Sequence, residues 1–134
     1  MAKVHLQIVT PEKEFFNGQV DMVIAKGVEG DFAILRGRAP IATPLEIGKL
    51  RIKQDGVERI AAICGGYLTA LDNEVTIVTD SAEWPEEIDV ERAMEAKKRA
   101  EARLNGKDPN IDVARAEAAL RRAMNRLEVS KDKK

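Results

Sequence analysis

The chain has 134 residues, 44% of them hydrophobic but only 4% aromatic, and its formal charges nearly cancel at −1. That length holds one ordinary domain or two small ones with a modest core, and the shortage of aromatics leaves little for nucleic-acid bases to stack on. A single cysteine, Cys64, rules out an internal disulfide and points to a reducing compartment, while no apolar run approaches the ~18 residues that cross a bilayer.

In chain order, Val4, Leu6 and Ile8 alternate with His5 and Gln7. This is the period of a half-buried strand, and it argues against a secretory leader. Thr10-Pro11-Glu12-Lys13 reads as a turn. Phe15-Phe16 and Val20 to Ala25 give a further strand or pair, Gly27 to Gly30 punctuates, and Asp31 to Leu35 resumes. Arg36 to Pro40 is a loop. Ile41 to Leu45 contains Pro44, which suits an edge strand or irregular chain. Leu50 and Ile52 alternate with Arg51 and Lys53. Asp55-Gly56 then separates two strand-like runs as a two-residue hairpin turn. Glu58 to Cys64 returns, Gly65-Gly66 allows a bulge or a close backbone approach, and Tyr67 to Ala70, a turn at Leu71-Asp72-Asn73, and Val75 to Val78 complete the series. Short strands at such intervals predict an all-β sandwich or barrel.

Residues 80–87 form a polar linker, after which Ala, Glu, Lys and Arg dominate. These residues predict helices over 90–104 and 113–128, parted by Asn105 to Asn110, where Gly106 suits a helix end and Pro109 cannot continue one. Apolar seams at Ala93, Ala96, Ala100 and Leu104, and at Val113, Ala116, Leu120, Ala123 and Leu127, predict an antiparallel two-helix hairpin. Alanine buries little area, and isolated helices of ~15 residues are marginal in water. The hairpin therefore needs a docking surface, a partner or a ligand, and an element so poised can serve as a switch. Charge divides at the same place. Residues 1–87 carry 9 Lys/Arg against 14 Asp/Glu, whereas residues 88–134 carry 13 against 9, so the two parts attract and the second favours an anionic partner.

The chain lacks a complete phosphate loop, since Gly48-Lys49 and Gly106-Lys107 stand without the rest of one. His5 reads as a surface residue, Cys64 as a small apolar one, and neither a metal cluster nor a nucleophile with its base is visible. The chemistry lies instead in Ile88-Asp89-Val90-Glu91-Arg92-Ala93. Its pattern Ile-Asp-Val-x-Arg-Ala recurs at Ile111 to Ala116, 23 residues later. Both copies stand where a helix begins, with Asp as the cap, so helix initiation accounts for half of the motif. The rest is its company. Arg99 lies two turns beyond Arg92, on the same face and ~10 Å along the axis, and an antiparallel hairpin returns Arg126 near Arg92 and Arg122 near Arg99. Four guanidiniums on one surface repel unless an anion joins them, and arginine suits bidentate phosphate contact. Asp89 belongs at the other end, as a cap or as an acceptor for a base amino group. The competing reading is that Glu91, Glu95, Glu101 and Glu117 neutralise these arginines as surface ion pairs.

The sequence resembles the epsilon subunit of bacterial F-type ATP synthase over nearly its whole length. The likeness rests on Val9-Thr10-Pro11, Gly30 to Leu35 with Gly37 and Pro40, Pro44 to Gly48, Gly65 to Leu68, Ile88 to Ala93, and Arg121 to Leu127. The second half is closer to the ATP-binding members found in bacilli. The resemblance implies an α+β fold, with a β-sandwich of about ten strands over residues 1–84 that docks on the stalk and a regulatory helical hairpin over 85–134. It implies a non-catalytic subunit at the cytoplasmic face of the cell membrane, without membrane insertion. Its implied partners are the gamma subunit and the c ring, with the alpha and beta subunits added when the hairpin extends and inhibits ATP hydrolysis. It further implies ATP as a regulatory ligand of the folded-down hairpin, with the need for magnesium left open. The matching positions are Glu83, Ile88, Asp89, Arg92, Ala93, Arg99, Arg122 and Arg126. Arg36 and Arg38 depart from the Pro and His of many relatives, and Gly106 with Pro109 disfavours one continuous extended helix. Two other readings are a basic hairpin that binds nucleic acid, weakened by a pI near 5.9, and a nucleotide hydrolase, weakened by the missing phosphate loop.

Overall fold

The structure is a computed structural model that describes residues 3–106 and 108–132; Met1, Ala2, Lys107 and the last two lysines lie outside the described residues. Eight strands, β1 (Val4–Val9), β2 (Glu14–Val20), β3 (Met22–Gly27), β4 (Gly30–Ile34), β5 (Ile41–Gln54), β6 (Val57–Leu71), β7 (Glu74–Val78) and β8 (Ala82–Glu83), precede helices α1 (Val90–Asn105) and α2 (Val113–Ser130). The sheet runs in the order β2-β1-β7-β6-β5-β3-β4, with β8 paired to β6. One core cluster draws on all seven strands of that path, from Val20 on one edge strand to Ile34 on the other. The sheet therefore folds over on itself as a sandwich.

The expected count of about ten strands becomes eight because β5 and β6 are 14 and 15 residues long and each serves both layers. Their buried positions change parity midway. In β5 Leu45 is followed by Gly48, Leu50 and Ile52; in β6 Ala61 and Ile63 are followed by Leu68 and Ala70. Strand side chains alternate with period two, so the change of parity marks a bend that both strands take together, since their register is the same on either side of it. It occurs where the regular pairing skips from Leu45↔Gly66 to Ile47↔Cys64. Gly65 and Gly66 there have φ of +71° and +110°, and a Cβ on Gly66 would sit 2.0 Å from the Val78 carbonyl oxygen. Only glycine fits this corner. Asp55-Gly56 and Asp72-Asn73 take positive φ as hairpin turns. Pro44 pairs with Tyr67 on β6, and β3 reaches β5 only from Leu45 onward. Its missing N–H thus falls where β5 is locally an edge.

His5 does lie on the outward phase, but it is engaged. Its ring nitrogens meet Glu74 Oε2 and Asn17 Oδ1, each at 2.6 Å, which ties β7 and β2 to β1. The expected linker over 80–87 is also ordered. Ala82 and Glu83 pair with β6, and Trp84 stacks on Phe15 with centroids 4.4 Å apart while the Arg59 guanidinium covers its ring at 3.7 Å.

The helices outrun their predicted ends by one and two residues. Asp89 and Asp112 cap them by accepting from the backbone N–H of Arg92 and Arg115 at 3.1 and 3.0 Å. Ala93 and Ala100 on α1 and Ala116 and Ala123 on α2 are buried; both pairs are seven residues apart, so one antiparallel register serves both contacts. Val113, expected in the seam, is 49% exposed, because it opens α2 before the helices meet. Val129 is instead buried with Ile88 and Ala62. Helix α2 is the one that packs on β5 and β6, with α1 laid against it.

Two expectations follow. Both the glutamate and the asparagine hold the His5 imidazole above its ordinary pKa of 6.5, Glu74 more strongly. A raised folded-state pKa contributes stability below the unfolded value and loses it as pH rises through the folded value. The advantage of wild type over His5→Gln in urea denaturation should thus shrink between about pH 5.5 and 8.5. Ala93→Leu should force the two helices apart and lower stability by ~1–3 kcal/mol, whereas Met94→Leu, at a neighbouring exposed position, should stay near wild type.

Candidate functional site

The outer face of β6 carries Ile60, Ala62 and Cys64, and the end of α2 covers it. Ala62, Ile88 and Val129 form a small buried cluster with Ile60 against it. Around that apolar centre α2 is fixed by polar contacts of opposite sign. Asn125 Nδ2 donates to the Gly48 carbonyl at 3.0 Å. Glu128 pairs with Lys49 at 2.7 Å, Arg121 with Glu46 at 3.6 Å, and Arg126 Nε donates to Glu83 Oε1 at 2.5 Å. Lys49 holds the Glu128 carboxyl below its ordinary range. The charge asymmetry of the sequence is used here, since Arg121 and Arg126 from the basic part meet Glu46 and Glu83 from the acidic part.

The eight residues singled out in the sequence are found in three different states. Ile88 and Ala93 are buried at 3% and 4% exposure, one in the cluster above and one in the helix seam. Asp89 is spent as the cap of α1. Glu83 and Arg126 bind each other. Arg92 and Arg99 are exposed and Arg122 is half-buried; among the described residues none of these three has an ion-pair partner within 4 Å. Glu91, Glu95, Glu101 and Glu117, which the competing reading enlisted, form none either. The four arginines are thus not gathered into one closed pocket: Arg126 is turned to the sheet, because Glu83 on β8 lies within its reach.

Two cavities flank α2. One, of about 790 Å³, is lined by Lys26, Lys49, Arg51, Arg121, Met124 and Asn125 among others. The other, of about 320 Å³, brings the carboxylates of Glu12, Asp80, Glu83 and Glu87 together with Lys13, Ser81 and Arg126. Arg92, Arg99 and Arg122 line neither.

Sequence reasoning missed several of these partners. Cys64 was expected to pack as a small apolar residue, yet its Sγ accepts from Ser81 Oγ at 3.0 Å and lies 3.9 Å from Arg126 Nη2. Asn125, Glu128 and Arg121 find partners 75 or more residues away, which no local spacing announces. One signal was present: the unbroken apolar run Ile60 to Cys64 fits a strand covered on both faces.

Comparison with known proteins agrees with this architecture. The family model for the ATP synthase delta/epsilon chain beta-sandwich domain matches residues 3–85, and that for its long alpha-helix domain matches residues 86–131. The ATP synthase epsilon chain of Caldicellulosiruptor bescii is 46% identical over 134 residues, spanning 100% of this chain and 98% of that one. That of Symbiobacterium thermophilum is 50% identical over 128 residues, 95% and 92% of the two chains, and that of Bacillus velezensis is 45% identical over 130 residues, 97% and 98%. Among solved structures, a chain in the Euglena gracilis mitochondrial ATP synthase (OSCP/F1/c-ring) superposes with a TM-score of 0.84 at 25% identity, covering 98% of this chain and 82% of that one. With a two-layer β domain, a helical hairpin docked on its face and matching relatives along its full length, the chain belongs to the epsilon-chain family of bacterial F-type ATP synthases.

Proposed function

We propose that this epsilon-family chain is a non-catalytic subunit of the central stalk, peripheral at the cytoplasmic face of the membrane, whose docked hairpin binds ATP. The observation that carries the nucleotide reading is the division of the arginines. Arg121 and Arg126 reach carboxylates on the sheet, whereas Arg92, Arg99 and Arg122, on the same hairpin, have no acid within ion-pair range among the described residues. Cations on one hairpin with no carboxylate to neutralise them favour an anion with several charges, and a polyphosphate supplies one. Ile88, Asp89, Ala93 and Glu83 would then meet the adenine, and the arginines the phosphates.

The β-sandwich seats the chain against the gamma subunit and the c ring, in keeping with a structural likeness to an ATP synthase that includes the c ring. The hairpin, released from the sheet, extends toward the alpha and beta subunits and inhibits ATP hydrolysis. The docked form is the one that brings both helices to the nucleotide, so ATP favours docking over extension by its differential affinity for the two states. The seam of alanines suits this role, because it binds the helices weakly enough for a ligand to decide.

Calorimetric titration of the full chain with ATP, with and without magnesium, tests the site. Wild type should bind at or below millimolar ATP, and Arg122→Ala should weaken binding by roughly tenfold or more, the loss of one charge-assisted contact of ~1.5–3 kcal/mol. Absence of binding by wild type would refute the site. The inhibitory role has its own test: removing residues 88–134 from the chain in the assembled synthase should raise ATP hydrolysis, and an unchanged rate would sink it.

A further inference from the structure

Arg126 differs from the other arginines of the hairpin in having a seat. Its Nε donates to Glu83 Oε1 at 2.5 Å, and its Nη2 reaches Ser81 Oγ at 3.5 Å and Cys64 Sγ at 3.9 Å. Ser81 Oγ donates in turn to Cys64 Sγ at 3.0 Å, and the Cys64 backbone N–H donates to the Ser81 carbonyl at 3.2 Å. Three side chains from β6, β8 and the turn before β8 thus converge on one guanidinium, whose side chain keeps 30% exposure. A guanidinium has five N–H donors in a planar fork. The sheet occupies the Nε edge and one corner at Nη2; among the described residues no acceptor meets Nη1. Arg126 thus has one edge fixed by the sheet and one edge that meets no acceptor among the described residues.

We infer that Ser81 is a positioning residue: with Cys64 and Glu83 it holds the Arg126 guanidinium so that its free edge faces an incoming anion, linking anion binding to docking of the hairpin. An arginine otherwise gives up rotamer freedom when it binds. Here the sheet has already ordered it, and it does so only when α2 is docked. The anion is taken from the nucleotide reading above, on which this inference rests for its ligand, while the seat stands on the contacts themselves.

The experiment uses the full chain with Ser81→Ala and Ser81→Thr, each checked for its fold by circular dichroism and titrated with ATP. Ser81→Ala should weaken ATP binding about three- to tenfold, the loss of one long hydrogen bond to a charged group. Ser81→Thr, which keeps the hydroxyl, should return affinity close to wild type. Wild-type affinity in Ser81→Ala, or an equal loss in both variants, overturns the inference. If wild type itself binds no ATP, the nucleotide reading fails and the anion-facing role of Ser81 is overturned with it, whereas the seat is decided separately by cysteine labelling. Cys64 is the sole cysteine, so its rate of labelling by Ellman's reagent, taken relative to the unfolded chain, reports its cover. Arg126→Ala should label on the order of tenfold faster than wild type as the seat opens, and equal rates overturn it. The same labelling decides the matter should Ser81→Ala fail to fold.

Discussion

The docking of α2 on the outer face of β5 and β6 is the contact on which the rest depends. Helix α1 finds its packing on α2, so both helices are held to the sheet through one of them. The apolar part of that contact is small, with Ala62, Ile88 and Val129 at its centre. At roughly 25 cal/mol per Å² such residues stabilise modestly, and the polar contacts around them matter correspondingly more. These contacts need geometry that only the folded sheet supplies. Gly48 offers its carbonyl, and Glu46, Lys49 and Glu83 offer charges, from two strands distant in sequence.

The sheet can offer that face because of the corner in its two longest strands. At Leu45 to Ile47 and at Cys64 to Gly66 the buried positions change parity, so each strand serves both layers. The corner also sets where α2 can lie. Cys64, the last residue of β6 before the glycines, faces Arg126, and Gly48, just past the same corner on β5, receives Asn125. Gly66 is held by steric exclusion against the Val78 carbonyl, so the requirement for glycine there reaches through the corner to the place where the hairpin docks. Trp84 anchors the other side. Stacked on Phe15 and covered by Arg59, it fixes the start of the segment that turns into α1.

Elements ruled by local chemistry were legible in the sequence. The caps Asp89 and Asp112, the turns Asp55-Gly56 and Asp72-Asn73, the glycine corner and both helices follow from rules that act over a few residues. The strand count was not, because two strands that each bend through a corner look like four when divided by Pro44 and by Gly65-Gly66. Residues 80–87 looked like a linker because their order comes from Phe15, Phe16 and Arg59, far away in the chain. The candidate site shows the same limit. The spacing of Arg92, Arg99, Arg122 and Arg126 led to the expectation of one shared surface. That Arg126 would turn to Glu83, Ser81 and Cys64 depended on which face of α2 meets the sheet, and the helix seam alone does not say so.

That face also explains how one helix can dock and still turn cations away from the sheet. Arg121 and Arg122 are neighbours, yet successive side chains on a helix point ~100° apart. The first therefore reaches Glu46 on the sheet while the second is left half-buried with no acid within ion-pair range among the described residues. Arg126, four residues beyond Arg122, lies one turn along the same flank and sits between the two uses, bonded to the sheet on one edge and open on the other. A charged ligand on that flank would meet, in Arg126, an arginine whose direction the docked helix has already set. Undocking would leave Arg126 free of the sheet and return its rotamer freedom. Any affinity that depends on its arrangement must then appear as stability of the docked form, since the same contacts cannot be made without it.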